Sequence, residues 1–163
     1  MTTFPRSPAR SPFPGKLLAL AMLLPLLASL ALAQHADQIP AARLMQPDAL
    51  NQILSAKDGE KPLIIHVGFH KLYSQAHIPG SEYLGPGSSD EGLQALRKRV
   101  EKLPRDKFIV LYCGCCPWGH CPNVQPADAA LQALGFKNVK VLYIANNLGA
   151  DWVDKGYPIS KGD

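Results

Sequence analysis

Outside one window the chain has no cysteine at all: its four, Cys113, Cys115, Cys116 and Cys121, fall within nine residues of a 163-residue sequence. That absence argues against the disulfide framework of a small secreted scaffold. A useful staple closes a long loop, and any bridge inside this window closes only a few residues. Net charge is scarce too once the first segment is set aside. Without Arg6, Arg10 and Lys16, the 17 Lys and Arg fall to 14 against 13 Asp and Glu, a net charge of +1, so the chain carries no basic footprint and no nucleic-acid partner is expected. Its one basic cluster, Arg97, Lys98, Arg99 and Lys102, lies on a predicted helix whose other face carries Leu93, Leu96 and Val100, the pattern of a solvated helix surface. No internal repeat is present, and a single domain is expected.

Long apolar runs are missing apart from Leu17 to Ala33. That run is shorter than the roughly 20 residues a membrane span needs, and Pro25 interrupts it. Arg6, Arg10 and Lys16 precede it and Ala31-Leu32-Ala33 ends it, which reads as a signal peptide over residues 1–33, cut after Ala33. No cysteine lies near the cut to carry a lipid. The expectation is a periplasmic or secreted domain over residues 34–163, with no stable membrane anchor after cleavage.

Within that domain the apolar period alternates between two types. Pro47 to Ala56 carries Leu50, Ile53 and Leu54 at helical spacing, and Leu63 to Val67 is a short branched run suited to a buried parallel strand. Gly80 to Leu84 suggests a further short strand. Ser88 and Glu91 resemble a capping box for a helix ending before Pro104. Phe108 to Tyr112 reads as a strand, Pro126 as the opening of a helix that Gly135 closes, Val139 to Tyr143 as the last strand, and Leu148 to Lys155 as the last helix. Strands alternating with helices predict an α/β domain with a central, mostly parallel sheet.

Three segments, in order, resemble the rhodanese-like sulfurtransferases. His77-Ile78-Pro79-Gly80 is similar to a family signature and lies eleven residues after His66. Ile109-Val110-Leu111-Tyr112-Cys113 resembles the strand that delivers the family's catalytic cysteine, and Trp152 to Ile159 matches the C-terminal Trp-x-x-x-Gly-Tyr-Pro pattern. There are departures. His66-Val67-Gly68 stands where the family has Asp-Val-Arg, Asn147-Leu148 where glycines are common, and twelve residues separate Cys113 from Pro126, a longer loop than usual.

The resemblance implies sulfur transfer from a small donor such as thiosulfate to a thiol or cyanide acceptor, through a persulfide on Cys113 and without a cofactor. Such chemistry needs a thiolate, and a free cysteine titrates near pH 8.5, so backbone N–H groups or a helix N-terminus must favour the anion. The loop residues expected around the sulfur are Gly114, Cys115, Cys116, Trp118, Gly119, His120 and Cys121. Cys116 also fits as the nucleophile, or as a resolving thiol at Cys-x-x-Cys spacing from Cys113. Cys116 or Cys121 is the expected partner of Cys113 in any disulfide gate, since a vicinal bridge strains the backbone. No resident metal is expected. The competing reading is a binding module in which Cys113, Cys116, His120 and Cys121 hold zinc or copper(I), or capture a partner protein. His66 falls at the same sheet edge as Cys113, His77 is read as structural, Trp118 as a pocket wall, and Trp152 as a core anchor.

Overall fold

The computed structural model describes residues 39–162; the expected signal segment lies outside them. A 3-10 turn, Ala41–Arg43, leads into strand β1 (Leu44–Met45) and helix α1 (Pro47–Ser55). Then follow β2 (Leu63–His66), α2 (His70–Gln75), β3 (Glu82–Tyr83), α3 (Asp90–Val100), β4 (Ile109–Tyr112), α4 (Val124–Ala133), β5 (Val139–Leu142) and a π-helical turn, Gly149–Val153. The five strands form one sheet in the order β1-β5-β4-β2-β3, with every pairing parallel. No helix among the described residues is long and apolar enough to cross a membrane.

Strand β4 runs through the middle, and all four of its residues are buried, as an unbroken apolar run covered on both faces requires. Alternation along the strands divides the core in two. Ile109 and Leu111 join Ile65 and Val141 against Leu96, Val100, Ala127 and Leu131 of α3 and α4. Val110 and Tyr112 join Ile64 and Leu142 against Leu50 and Trp152 on the other face. Since side chains alternate with a period of two, Cys113 continues the first set and falls on the α3/α4 side.

The opposite side is closed by the C-terminal segment. Trp152 is fully buried and its Nε1 donates to the Pro158 carbonyl at 2.8 Å. His77 exchanges two backbone bonds with Ser160, at 3.0 and 2.9 Å, while its ring stacks on Tyr73 with centroids 3.9 Å apart. Both residues are structural, as the sequence suggested.

Several boundaries differ from expectation. Ser89, not Ser88, caps α3 by accepting from the Gly92 N–H at 3.1 Å. Helix α4 begins at Val124, ahead of Pro126, which stays within the first turn where its missing N–H has no intrahelical partner to lose. The expected helix over Leu148 to Lys155 is the π turn, closed by Asp154 N–H on the Gly149 carbonyl at 2.8 Å. β1 and α2 escaped the sequence reading because two and six residues are too short to display a period. In the basic cluster, Arg99 pairs with Glu82 through two bonds of 2.6 and 2.8 Å.

Candidate active site

Cys113 is the first residue beyond β4 and is only 2 % exposed. Gly114 then turns the chain at φ +74°, and a Cβ there would lie 2.8 Å from the Leu148 Cβ, so only glycine fits. Two backbone bonds strap the loop to the exit of β5: Leu148 N–H to the Gly114 carbonyl at 3.0 Å and Trp118 N–H to the Ala145 carbonyl at 3.1 Å. Thus Leu148 packs directly on the turn after the sulfur.

The sulfurs are close together. Cys113 Sγ lies 3.0 Å from Cys115 Sγ, which lies 3.0 Å from Cys116 Sγ. Those of Cys113, Cys115 and Cys121 all fall within 4.8 Å of one another, and all four cysteines are free thiols. Cys116 donates weakly to the His120 carbonyl at 3.6 Å. Cys115 thus stands between Cys113 and Cys116, in contact with each.

Their titration differs. Donation to Cys121, reinforced by burial, pushes the Cys113 thiol well above the usual range. The same hydrogen bond, working against burial and helped by the Asn123 and Val124 N–H groups, holds Cys121 down to about 5. The pair is thus biased toward holding negative charge on Cys121, whose sulfur the amides at the start of α4 favour. Burial and the Cys115 thiol push Cys116 up to about 12.

Asn123 is a residue of the candidate site that the sequence reading missed. It is fully buried; its Oδ1 accepts from Ser88 N–H at 3.2 Å and Ser88 Oγ at 2.8 Å, which turns Nδ2 toward Cys113 Sγ at 3.4 Å. Gly87 makes the approach possible, since a Cβ there would meet the Asn123 carbonyl oxygen at 2.1 Å. Ser88, taken for a helix cap, instead orients this amide. The signal available in sequence was a polar residue opening the helix that must pack over the cysteine strand.

On the neighbouring strand, His66 faces the pocket with its ring buried, and its Nδ1 accepts from Gly68 N–H at 3.3 Å. Burial lowers the imidazole to about 4, opposed by a hydrogen bond to the Cys113 backbone, so the ring is neutral at pH 7. Gly68 supplies room: an added Cβ would stand 2.8 Å from Cys113 Sγ and 2.9 Å from His66 Cε1. Neither His66 nor Gly68 therefore brings a cation to the sulfur.

A cavity of about 360 Å³ opens beside His66, Cys113, Gly114 and Cys115. On the loop side, Trp118 packs on Tyr143, with centroids 5.1 Å apart, and helps wall a cleft of only about 10 Å³ shared with Cys113, Cys116 and Cys121. Gly119 and His120 are exposed. As metal ligands, the fold gathers Cys113, Cys115 and Cys121, a soft donor set suited to copper(I) or zinc, in place of the set containing Cys116 and His120.

The family model for the rhodanese-like domain matches residues 46–143. No curated protein matches the chain. Among solved structures, the BH2092 protein of Bacillus halodurans is similar at 20 % identity and a TM-score of 0.56, covering 84 % of this chain and 86 % of that one. A thiosulfate sulfurtransferase of Pseudomonas aeruginosa matches at 18 % identity and TM-score 0.54, over 74 % of this chain but 20 % of its own length. An EanB variant in a cysteine-persulfide state with ergothioneine matches at 22 % identity and TM-score 0.53, over 72 % of this chain and 27 % of that one. These likenesses agree with the parallel-sheet fold, and with the family model matched over most of its length the chain belongs to the rhodanese-like domain family.

Proposed function

We propose that this chain is an exported sulfurtransferase that carries sulfane sulfur as a persulfide on Cys113. The observation that carries the reading is the place of the Cys113 thiol: it ends the central strand, borders a cavity large enough for a small oxyanion, and lies within 4.8 Å of the Cys121 sulfur. The carboxyl edge of a parallel sheet is where such folds bind ligands. Cys113 gives its proton to Cys121 as it attacks the outer sulfur of thiosulfate. The sulfur–sulfur bond breaks, sulfite departs with the electron pair, and Cys113 keeps the transferred sulfur as a persulfide anion. Asn123 Nδ2 donates to the attacking sulfur, and the neutral His66 leaves the site without a fixed counter-ion. Transfer to a thiol or to cyanide then restores Cys113.

The test is sulfur transfer from thiosulfate to cyanide by the reduced protein, followed by intact mass. The expected result is a gain of one sulfur on Cys113, abolished in Cys113→Ser; full activity in that variant would sink the assignment. Export is tested separately by the N-terminal residue of protein recovered from outside the cytoplasm, expected to be Gln34.

A further inference from the structure

We propose that sulfur loaded on Cys113 leaves the site by a thiol relay, from Cys113 to Cys115 to Cys116, and that Cys116 hands it to a bulky acceptor thiol. The inference rests on the Cys113 persulfide reading and extends it to the route out.

The problem the relay answers is access. Cys113 is 2 % exposed. On the loop side, the cleft it shares with Cys116 has a volume of about 10 Å³, enough for roughly one water and for no organic thiol. Among the described residues, Cys113 also borders the 360 Å³ cavity, which Cys115 lines and Cys116 does not. A thiol on a peptide or protein therefore cannot reach the loaded sulfur from the loop face. Two contacts bridge that distance, each of 3.0 Å between sulfurs, and they run in order from buried Cys113 through half-buried Cys115 to Cys116, which is followed by exposed Pro117. Reacting atoms about 3 to 3.5 Å apart are in near-attack range. A persulfide bond of about 2.05 Å projecting from Cys113 keeps its outer sulfur within reach of Cys115.

Each step balances. Cys115 loses its proton and its sulfur attacks the outer sulfur of the Cys113 persulfide. The bond between that outer sulfur and Cys113 Sγ breaks, and Cys113 leaves as a thiolate that takes up the proton. Cys115 is now the persulfide, and the same exchange passes the sulfur to Cys116. The acceptor thiolate finally attacks the outer sulfur on Cys116, which departs as a thiolate. One S–S bond forms and one breaks at every stage, so no external oxidant or reductant is consumed.

The experiment loads the reduced full chain with thiosulfate carrying labelled outer sulfur. The labelled thiol is then mapped by rapid alkylation and peptide mass spectrometry, and transfer to a reduced cysteine-containing peptide is timed. In the wild type the label should be found on Cys116 within the turnover time. Cys115→Ser should confine it to Cys113 and Cys116→Ser to Cys113 and Cys115, with peptide transfer slowed at least tenfold in each. Label found only on Cys113 in the wild type, with peptide transfer unaffected by Cys115→Ser, overturns the relay while leaving the persulfide reading intact. Release of one sulfide per chain with a Cys113–Cys115 disulfide also overturns it, because Cys115 would then attack the inner sulfur. Failure of every variant and of the wild type to gain sulfur overturns the persulfide reading as well.

Discussion

The exits of β2 and β4 are neighbours in register, His66 beside Tyr112, yet they contribute opposite things to the site. The β4 exit delivers reactive sulfur and, through its loop, the thiols and amides that control it. The β2 exit delivers space: Gly68 removes a side chain from the sulfur's path, and His66 stays neutral because it is buried. His66 and Gly68 carry no charge to the site, and negative charge is favoured instead on Cys121, beside Cys113 and the start of α4. The difference teaches that two adjacent strand ends can divide the work, one supplying room and the other the sulfur and its polar partners.

The comparison breaks most sharply at Cys121. Replacing it by serine removes the thiolate proposed to receive the Cys113 proton, and sulfur loading at pH 7 should fall about 10²-fold or more, in the range general bases contribute. The pH profile sharpens the point. Because the Cys121 thiol is depressed to about 5, its thiolate persists above that pH, so wild-type loading should be lost as pH falls through about 5. Stopped-flow loading at pH 4 to 8 checks both, and a Cys121→Ser profile that keeps the same inflection would contradict the assignment.

A smaller effect is expected at Asn123. Asn123→Ala leaves Ser88 without its acceptor and Cys113 without its amide donor, so loading should slow about tenfold, with ~1–2 kcal/mol of stability lost in urea unfolding. Gly68→Ala tests the β2 exit as space. Crowding the sulfur should cost about 1–3 kcal/mol and slow loading several-fold; a variant as stable and active as wild type would show that the close approach to Cys113 does not matter. His66→Gln should change least, under about threefold in rate, because the neutral ring contributes no charge. An inflection near the usual imidazole range in wild type, absent from His66→Gln, would refute that.

Much of the fold was legible because it rests on local pattern. The runs Leu63 to Val67 and Phe108 to Tyr112 could only be covered strands, and the helical spacing of Leu50, Ile53 and Leu54 placed α1 to within a residue. Trp152 and His77 were read correctly as structural for the same reason, since their neighbours repeat a family pattern. β1 and α2 were not legible, being too short for periodicity.

The sequence by itself determined that four thiols would crowd the end of one central strand, since strand period and cysteine spacing are covalent facts. Only tertiary structure decided which amide touches Cys113 and which sulfurs gather around it. Those outcomes depend on how the loop folds back over α4 and against Leu148, where Ser88 reaches across thirty-five positions to turn Asn123. Hydrogen-bond direction and burial set thiol acidity within a few ångströms, and contacts of that kind leave no periodic trace along the chain.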